Sequence, residues 1–394
     1  MKIMSLNTGS SSLKFSLFEM DTNELIASGY FEKVTLPGSF FNIKYNGEKI
    51  YEEIDMPTHT IAVNVMLERL ISLHIVESLE EIKAVGHRIV QGADRFDKSV
   101  LIDDKVIADI AELAPLAPLH NPGHILGINA MKEALPNVPM VAVFDTAFHQ
   151  TMKPEEYMYA VPYEWYTDYS VRKYGAHGTS YCYISKQIPR LLGKDNYKAI
   201  VCHLGSGGSL AAIENGKCVD TSMGFTPLAG IMMGTRSGDI DPTVVSYMVD
   251  KTGKSAADIV SDLNKKSGFL GVSGVSNDFR DIYAAFKDGN ERCGLALDMY
   301  CKRVVDYIAM YYVELGGADT IVFTAGLGEN AAYVKEQICK RLEVLGVKID
   351  NEKTEVRGEE VELSTSDSKI RVFVVPTNEE LMMAEDTYNI VFNK

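Results

Sequence analysis

Short apolar, β-branched runs recur along the chain, and stretches with helical spacing follow several of them. Lys2–Leu6, Leu13–Phe18, Ile82–Val90, Val138–Phe144, Ala199–Leu204, Leu210–Ile213, Thr320–Thr324 and Ile370–Val375 predict strands. Ile61–Leu73, Val106–Leu113, Gly123–Ala134 and roughly Cys293–Leu315 predict helices. Strands alternating with helices indicate α/β layers. The stretch to about Tyr51 is richer in strands and turns, so each half is expected to begin with an antiparallel meander. Two apolar runs are interrupted alike, by Thr8-Gly9-Ser10-Ser11-Ser12 and by Gly205-Ser206-Gly207-Gly208-Ser209. Gly9 and Gly205 lie 196 residues apart in a chain of 394, so both halves open with the same device. A turn of small residues exposes backbone N–H groups and lets a bulky anion approach. Two such turns facing each other across a cleft would hold a polyphosphate; a plain hairpin connection is the alternative.

The length predicts about two domains. No low-complexity linker separates them, so the boundary is expected to be a hinge near Asp145–Met152. The expected domains are residues 1–148, completed by a returning C-terminal helix over 385–394, and residues 149–384. The formal charge of −15 argues against nucleic-acid binding, though a few local arginines can still hold a small anion. No apolar stretch is long enough to span a bilayer, and the N-terminus enters a strand at once. Six scattered cysteines without a C-x-x-C pair suit buried thiols in a reducing cytoplasm.

Phosphoryl transfer needs phosphate-cradling N–H groups, a divalent cation on oxygen ligands, and cationic donors for the equatorial oxygens. Arg88 ends a run that looks buried, where a guanidinium requires an anion. Arg236 sits in the glycine-flanked loop Met233–Asp239, which would present it outward; its alternative is a salt bridge to Asp239 or Asp241. Six of eight histidines fall between His87 and His203, several at strand ends or in turns. Their spacing matches no zinc motif, and they suit hydrogen-bond donors to phosphate or a structural role. Asp145 ends an apolar strand and can orient a nucleophile or metal-bound water. Thr377 and Glu380 match a capping box, which leaves Glu379 for magnesium. Thr324-Ala325-Gly326-Leu327-Gly328-Glu329-Asn330 follows a strand and opens a helix, a position suited to a nucleotide's adenosine or α-phosphate.

These residues resemble the acetate kinases and related short-chain acyl kinases. The matching stretches include Asn7–Lys14, Gly86-His87-Arg88, His120-Asn121-Pro122, Phe144–His149, His177–Ser180, His203-Leu204-Gly205, Gly224–Pro227, Met232–Asp239, Gly326–Asn330 and Pro376–Glu380. They run in family order over essentially the whole chain. The resemblance implies two duplicated ribonuclease H-like α/β domains, each a mixed sheet flanked by helices, with a cleft between them. It implies reversible transfer of the ATP γ-phosphoryl group to a carboxylate, in a cytoplasmic homodimer. On it, Asn7 and Glu379 bind magnesium (manganese being the other candidate), and Asp145, His177 and Arg236 are catalytic. Arg88, Val90, Leu119, His120, Ala176 and Pro227 surround the substrate. Lys14, His203, Leu204, Gly205, Ser206, Gly207, Asp278, Phe279, Arg280, Gly326, Leu327, Gly328, Glu329 and Asn330 line the nucleotide site. A short-chain acid is already ionised near neutral pH, so Asp145 is read as an orienting group rather than a base.

Three positions depart from the family pattern. Ala176 stands where phenylalanine is usual, which would enlarge the acyl pocket toward propionate or butyrate unless another side chain fills the space. Gln91 replaces a common histidine, and Ser206 replaces an asparagine of the phosphate loop. A nucleotide-switched scaffold and a sugar kinase are the rival functions on the same fold.

Overall fold

The computed structural model describes residues 1–118 and 120–393. The chain divides into two compact units. The first comprises Met1–Gln150 and Asn378–Lys394, and the second Thr151–Thr377. The return to the first unit was expected at 385. It begins instead at Asn378, because Glu379–Phe392 is one uninterrupted helix and docks whole.

The first unit holds strands β1 (Lys2–Thr8), β2 (Ser12–Glu19), β3 (Glu24–Glu32), β4 (Phe40–Tyr45), β5 (Glu48–Glu53), β6 (Ile82–Ile89), β7 (Val100–Leu101) and β8 (Met140–Phe144). Their order in the sheet is β5-β4-β3-β2-β1-β6-β8-β7. β1 to β5 form the antiparallel meander, while β6 and β8 run parallel to β1. Side chains alternate across the sheet. Met4 and Leu6 therefore pack with Ala62, Met66 and Leu70 of helix His59–Ser72 and with Met131 of helix Asn121–Ala134. Ile3 and Ala84 face the other way and pack with Ala384 and Leu381 of helix Glu379–Phe392. Gly86 permits that helix to sit close, since a Cβ there would lie 2.3 Å from Thr387 Oγ1.

The second unit repeats the plan with β9 (Lys198–Leu204), β10 (Gly208–Glu214), β11 (Lys217–Thr221), β12 (Thr320–Thr324), β13 (Val361–Glu362) and β14 (Arg371–Val374), in the order β11-β10-β9-β12-β14-β13. The arrangement β11-β10-β9-β12-β14 matches β3-β2-β1-β6-β8 strand for strand, with the same parallel and antiparallel pairings. This is the duplicated ribonuclease H-like fold. Ile200, Cys202 and Leu204 face the long helix Glu291–Glu314 and helix Ala332–Arg341. His203 and Ser209, paired across β9 and β10, lie on the opposite face with helix Gly178–Leu192. All six cysteines are free thiols. Among the described residues, no helix is long and apolar enough to cross a membrane.

Candidate active site

Strand alternation gathers the first unit's polar groups. Asn7 is two residues beyond Ser5, on the face covered by helix Glu379–Phe392, where Ser5 Oγ donates to the Glu380 carbonyl at 2.6 Å. Lys14 lies directly opposite Asn7 in the β1–β2 register. Arg88 shares that face with Ala84 and Gly86. Asn7, Lys14, Arg88 and Glu379 consequently line one cavity of about 340 Å³.

Arg88 binds Asp145 through its fork, Nη2 to Oδ2 at 2.7 Å and Nε to Oδ2 at 3.1 Å. Asp145 is 2% exposed, and its charge holds the guanidinium protonated against the effect of burial. Burial pushes the Glu379 carboxyl up to about 7, with Asp145 adding to the shift and Arg88 opposing it. A half-buried carboxylate raised in this way, lining the same cavity as Asn7, suits a hard divalent cation that replaces the proton. The capping-box reading of Thr377 and Glu380 is corrected. Asn378 is the cap, its Oδ1 accepting from Leu381 N at 3.0 Å, and Thr377 Oγ1 meets Ser180 Oγ instead. Asn is the stronger cap of the two, so the helix begins one residue later.

For two histidines, of the two readings left open, burial favours the structural one. His87 and His124 are buried in the first unit and held neutral, pushed down to about 3 and about 4 chiefly by burial. His124 Nδ1 donates to the Thr8 carbonyl at 2.8 Å, so it braces the Gly9 turn rather than a phosphate. His120 is the cap residue of helix Asn121–Ala134, and Val90 is half-buried just past β6. Leu119 lies outside the described residues. Gln91 is clamped structurally: its Oε1 accepts from Ala93 N at 2.8 Å, and its main chain exchanges hydrogen bonds with the Asn121 amide.

In the second unit, Gly205–Gly207 forms the turn between β9 and β10, closed by Gly205 N to Gly207 O at 3.1 Å. A Cβ placed on Gly207 would lie 3.5 Å from Arg236 Nη1 and 3.7 Å from His177 Nε2. The bare backbone of the turn thus has a guanidinium and an imidazole beside it. His177 heads helix Gly178–Leu192 with φ +60°, a left-handed conformation uncommon outside glycine. Its ring stacks on His203 at 4.1 Å.

Arg236 donates to the Pro227 carbonyl at 3.0 Å. The alternative salt bridge is absent among the described residues: Asp239 accepts from Gly230 N and Tyr307, and Asp241 caps Thr243 N. Burial lowers the guanidinium's pKa with no carboxylate to offset it. Arg236 is half-buried rather than presented outward. Ala176 is buried against Met223 and Met233, whose flexible side chains fill space beside it.

Gly205, Ser206, Asp278, Phe279, Arg280, Gly326, Leu327 and Asn330 line a second cavity, of about 690 Å³. His203, Leu204, Gly207, Gly328 and Glu329 do not line it. The Glu329 carboxylate turns back to accept from Ala325 N and Thr377 N at 2.8 and 3.2 Å, which fixes the glycine turn from behind. Sequence reasoning missed Tyr283, Tyr333 and Arg357 in this wall. Phe279, Tyr283 and Phe286 recur at helical spacing and read equally well as a core stripe.

Three carboxylates of the second unit, Glu156, Asp220 and Glu314, also cluster, but Lys173 already pairs with Asp220 there. Burial, then Asp220 and Glu156, push Glu314 up to about 7. The native state therefore holds a proton that the unfolded chain releases near 4.5, and stability falls as pH rises between those values. Glu314→Gln is expected to gain about 1–2 kcal/mol at pH 8, a discount on the full shift for its partial exposure, and almost nothing at pH 4.5. Thermal melts at the two pH values check this; an equal effect at both would defeat it.

Comparison with known proteins agrees with this geometry. A profile described as the acetokinase family matches residues 2–385. The chain is 52% identical over 394 residues to an acetate kinase of Chlorante-Aster yellows phytoplasma, covering all of this chain and 96% of that one. It is 50% identical over 395 residues to acetate kinase 1 of Listeria monocytogenes, covering all of both. The crystal structure of Porphyromonas gingivalis acetate kinase superposes with a TM-score of 0.95 at 47% identity, covering 99% of each chain. That of a propionate kinase from Francisella tularensis gives 0.94 at 40%, covering 99% of this chain and 100% of that one. Matched from end to end at this level, the chain belongs to the acetokinase family.

Proposed function

We propose that the chain transfers the γ-phosphoryl group of ATP to acetate, reversibly, giving acetyl phosphate and ADP. The observation that carries this reading is the placement of Arg236 and His177 beside Gly207, with the guanidinium unpaired by any described carboxylate. A carboxylate oxygen of acetate attacks the γ-phosphorus, and the bond to the β-phosphate oxygen breaks with its electron pair leaving on ADP. Arg236 and His177 donate to the equatorial oxygens as charge spreads over them. Arg88 attracts the acceptor carboxylate while Asp145 fixes the fork. Asn7 and Glu379 would hold magnesium, which supplies charge neutralisation on the phosphates. The turn at Gly205–Gly207 and the cavity edged by Asp278–Arg280 and Gly326–Asn330 would take the nucleotide. The enzyme is read as a cytoplasmic homodimer.

Hydroxylamine trapping of acyl phosphate tests this, with ATP, magnesium and a panel of acetate, propionate, butyrate, glycerol and hexoses. Acetate is expected to give the highest kcat/KM, with propionate next. ATP loss without hydroxamate would favour a nucleotide-switched scaffold, and phosphorylated glycerol or hexose a sugar kinase. Ala176→Phe is expected to lower kcat/KM for propionate relative to acetate by 10-fold or more. An unchanged ratio would remove Ala176 from the acyl pocket.

A further inference from the structure

Tyr159 lies in the connection between helices Pro154–Tyr157 and Tyr163–Tyr169 of the second unit. Its hydroxyl accepts from Phe225 N at 2.8 Å. A Cβ on Gly224 would lie 2.2 Å from the same hydroxyl. Gly224 is not among the left-handed glycines. The space the hydroxyl takes, and not a backbone angle, is therefore what requires glycine there. We propose that Tyr159 is a positioning residue for the transfer: by holding Phe225 N it fixes the loop 224–230, and through the Pro227 carbonyl of that loop it aims Arg236. This deepens the role given to Arg236 above and rests on it.

The peptide unit joining Gly224 to Phe225 is gripped from both sides. Its oxygen accepts from Tyr174 N and Gly175 N at 3.1 and 3.2 Å, and its N–H donates to Tyr159. The other end of the loop is tied at Gly230, whose N–H donates to Asp239 Oδ1 at 2.8 Å and whose carbonyl accepts from Asp239 N at 2.9 Å. Between the two ties, Pro227 O accepts from Arg236 Nη1 at 3.0 Å. The arm from Phe225 N to Pro227 O is short and stiff. The Pro227 ring fixes its own φ and biases Thr226 away from the helical region. A rotation of the gripped peptide is thus passed on to the Pro227 carbonyl rather than absorbed on the way. The guanidinium's other described partner is the Met233 thioether at 3.7 Å, a weak acceptor that sets its direction poorly. A misplacement of about 1 Å at a reacting centre costs on the order of 10²-fold in rate. Removing the Tyr159 hydroxyl leaves the grip on the Gly224 oxygen in place, so a smaller displacement and a smaller loss follow.

The test is a double-mutant cycle of Tyr159→Phe with Arg236→Met in the full chain, read by acyl phosphate formation from ATP, magnesium and acetate. Tyr159→Phe alone is expected to lower kcat about 10-fold, with KM for ATP within two-fold. In the Arg236→Met background no guanidinium remains to be aimed, so the same change is expected to alter kcat by less than two-fold. The same two results are expected of Gly224→Ala, which drives the hydroxyl off Phe225 N, and that variant takes the place of Tyr159→Phe should the latter fail to fold. An unchanged kcat in Tyr159→Phe overturns the proposal. So does an equal loss in both backgrounds, which is what general loosening of the unit would give. Full activity in Arg236→Met alone would instead overturn the role of Arg236 in the transfer, and the proposal with it.

Discussion

Arg236→Met is expected to lower kcat by roughly 10²- to 10³-fold while leaving the fold as stable as before or more so. The guanidinium is partly desolvated and gains only a carbonyl and a thioether, Pro227 O and Met233 Sδ. Nothing offsets its burial, which lowers its pKa. Replacing a buried cation without an anion by an apolar chain of similar length removes that penalty, a gain of about 1 kcal/mol. On the proposed function, a phosphoryl group in flight would supply the anion that no described carboxylate provides. Denaturant unfolding and steady-state rates on one preparation decide it. A loss of stability comparable to the loss of activity would mean that Arg236 is structural.

Arg88→Met is expected to fail in both respects. Asp145 would keep its place at 2% exposure but lose the three hydrogen bonds from the fork. Removing one partner of a buried ion pair costs about 3–5 kcal/mol. Activity toward acetate should fall by at least about 10²-fold in kcat/KM, since a charged hydrogen-bonding group is lost from the acceptor site. Arg88→Lys separates the two effects. It keeps the charge but not the planar fork, so stability should largely return while kcat/KM stays low. If Arg88→Met unfolded at the wild-type denaturant concentration, the pairing with Asp145 would carry none of the stability assigned to it. The two arginines thus answer the same substitution with opposite signs in stability, which a list of conserved-looking cations would not suggest.

Much of this was legible in the chain. Period-two alternation in β1, β2 and β6 puts Asn7, Lys14 and Arg88 on one face, and the Gly/Ser turns mark both hairpins. The duplicated strand order follows from the same two halves. What stayed hidden depends on contacts distant in sequence. Ser209 looked like one more small residue after the glycines, and only the β9–β10 register brings it to His177. His87 and His124 could be read as phosphate donors or as structural groups, and only tertiary burial, which holds both neutral, decides for the second. Glu329 carries a family motif, yet its carboxylate is spent on the backbone behind the turn. The capping box failed because two adjacent residues, Thr377 and Asn378, could each cap, and local pattern alone does not rank them.

The helix that covers Ile3, Ala84 and Gly86 is made after every strand of the sheet it covers. A chain growing at about 5–20 residues per second completes β8 roughly 10–50 s before Glu379 is made. Throughout that interval the nascent N-terminal sheet displays one greasy face with its cover still unsynthesised. The second unit, contiguous in sequence, is completely synthesised before that cover exists, so it can mature while the first still waits for its closing helix.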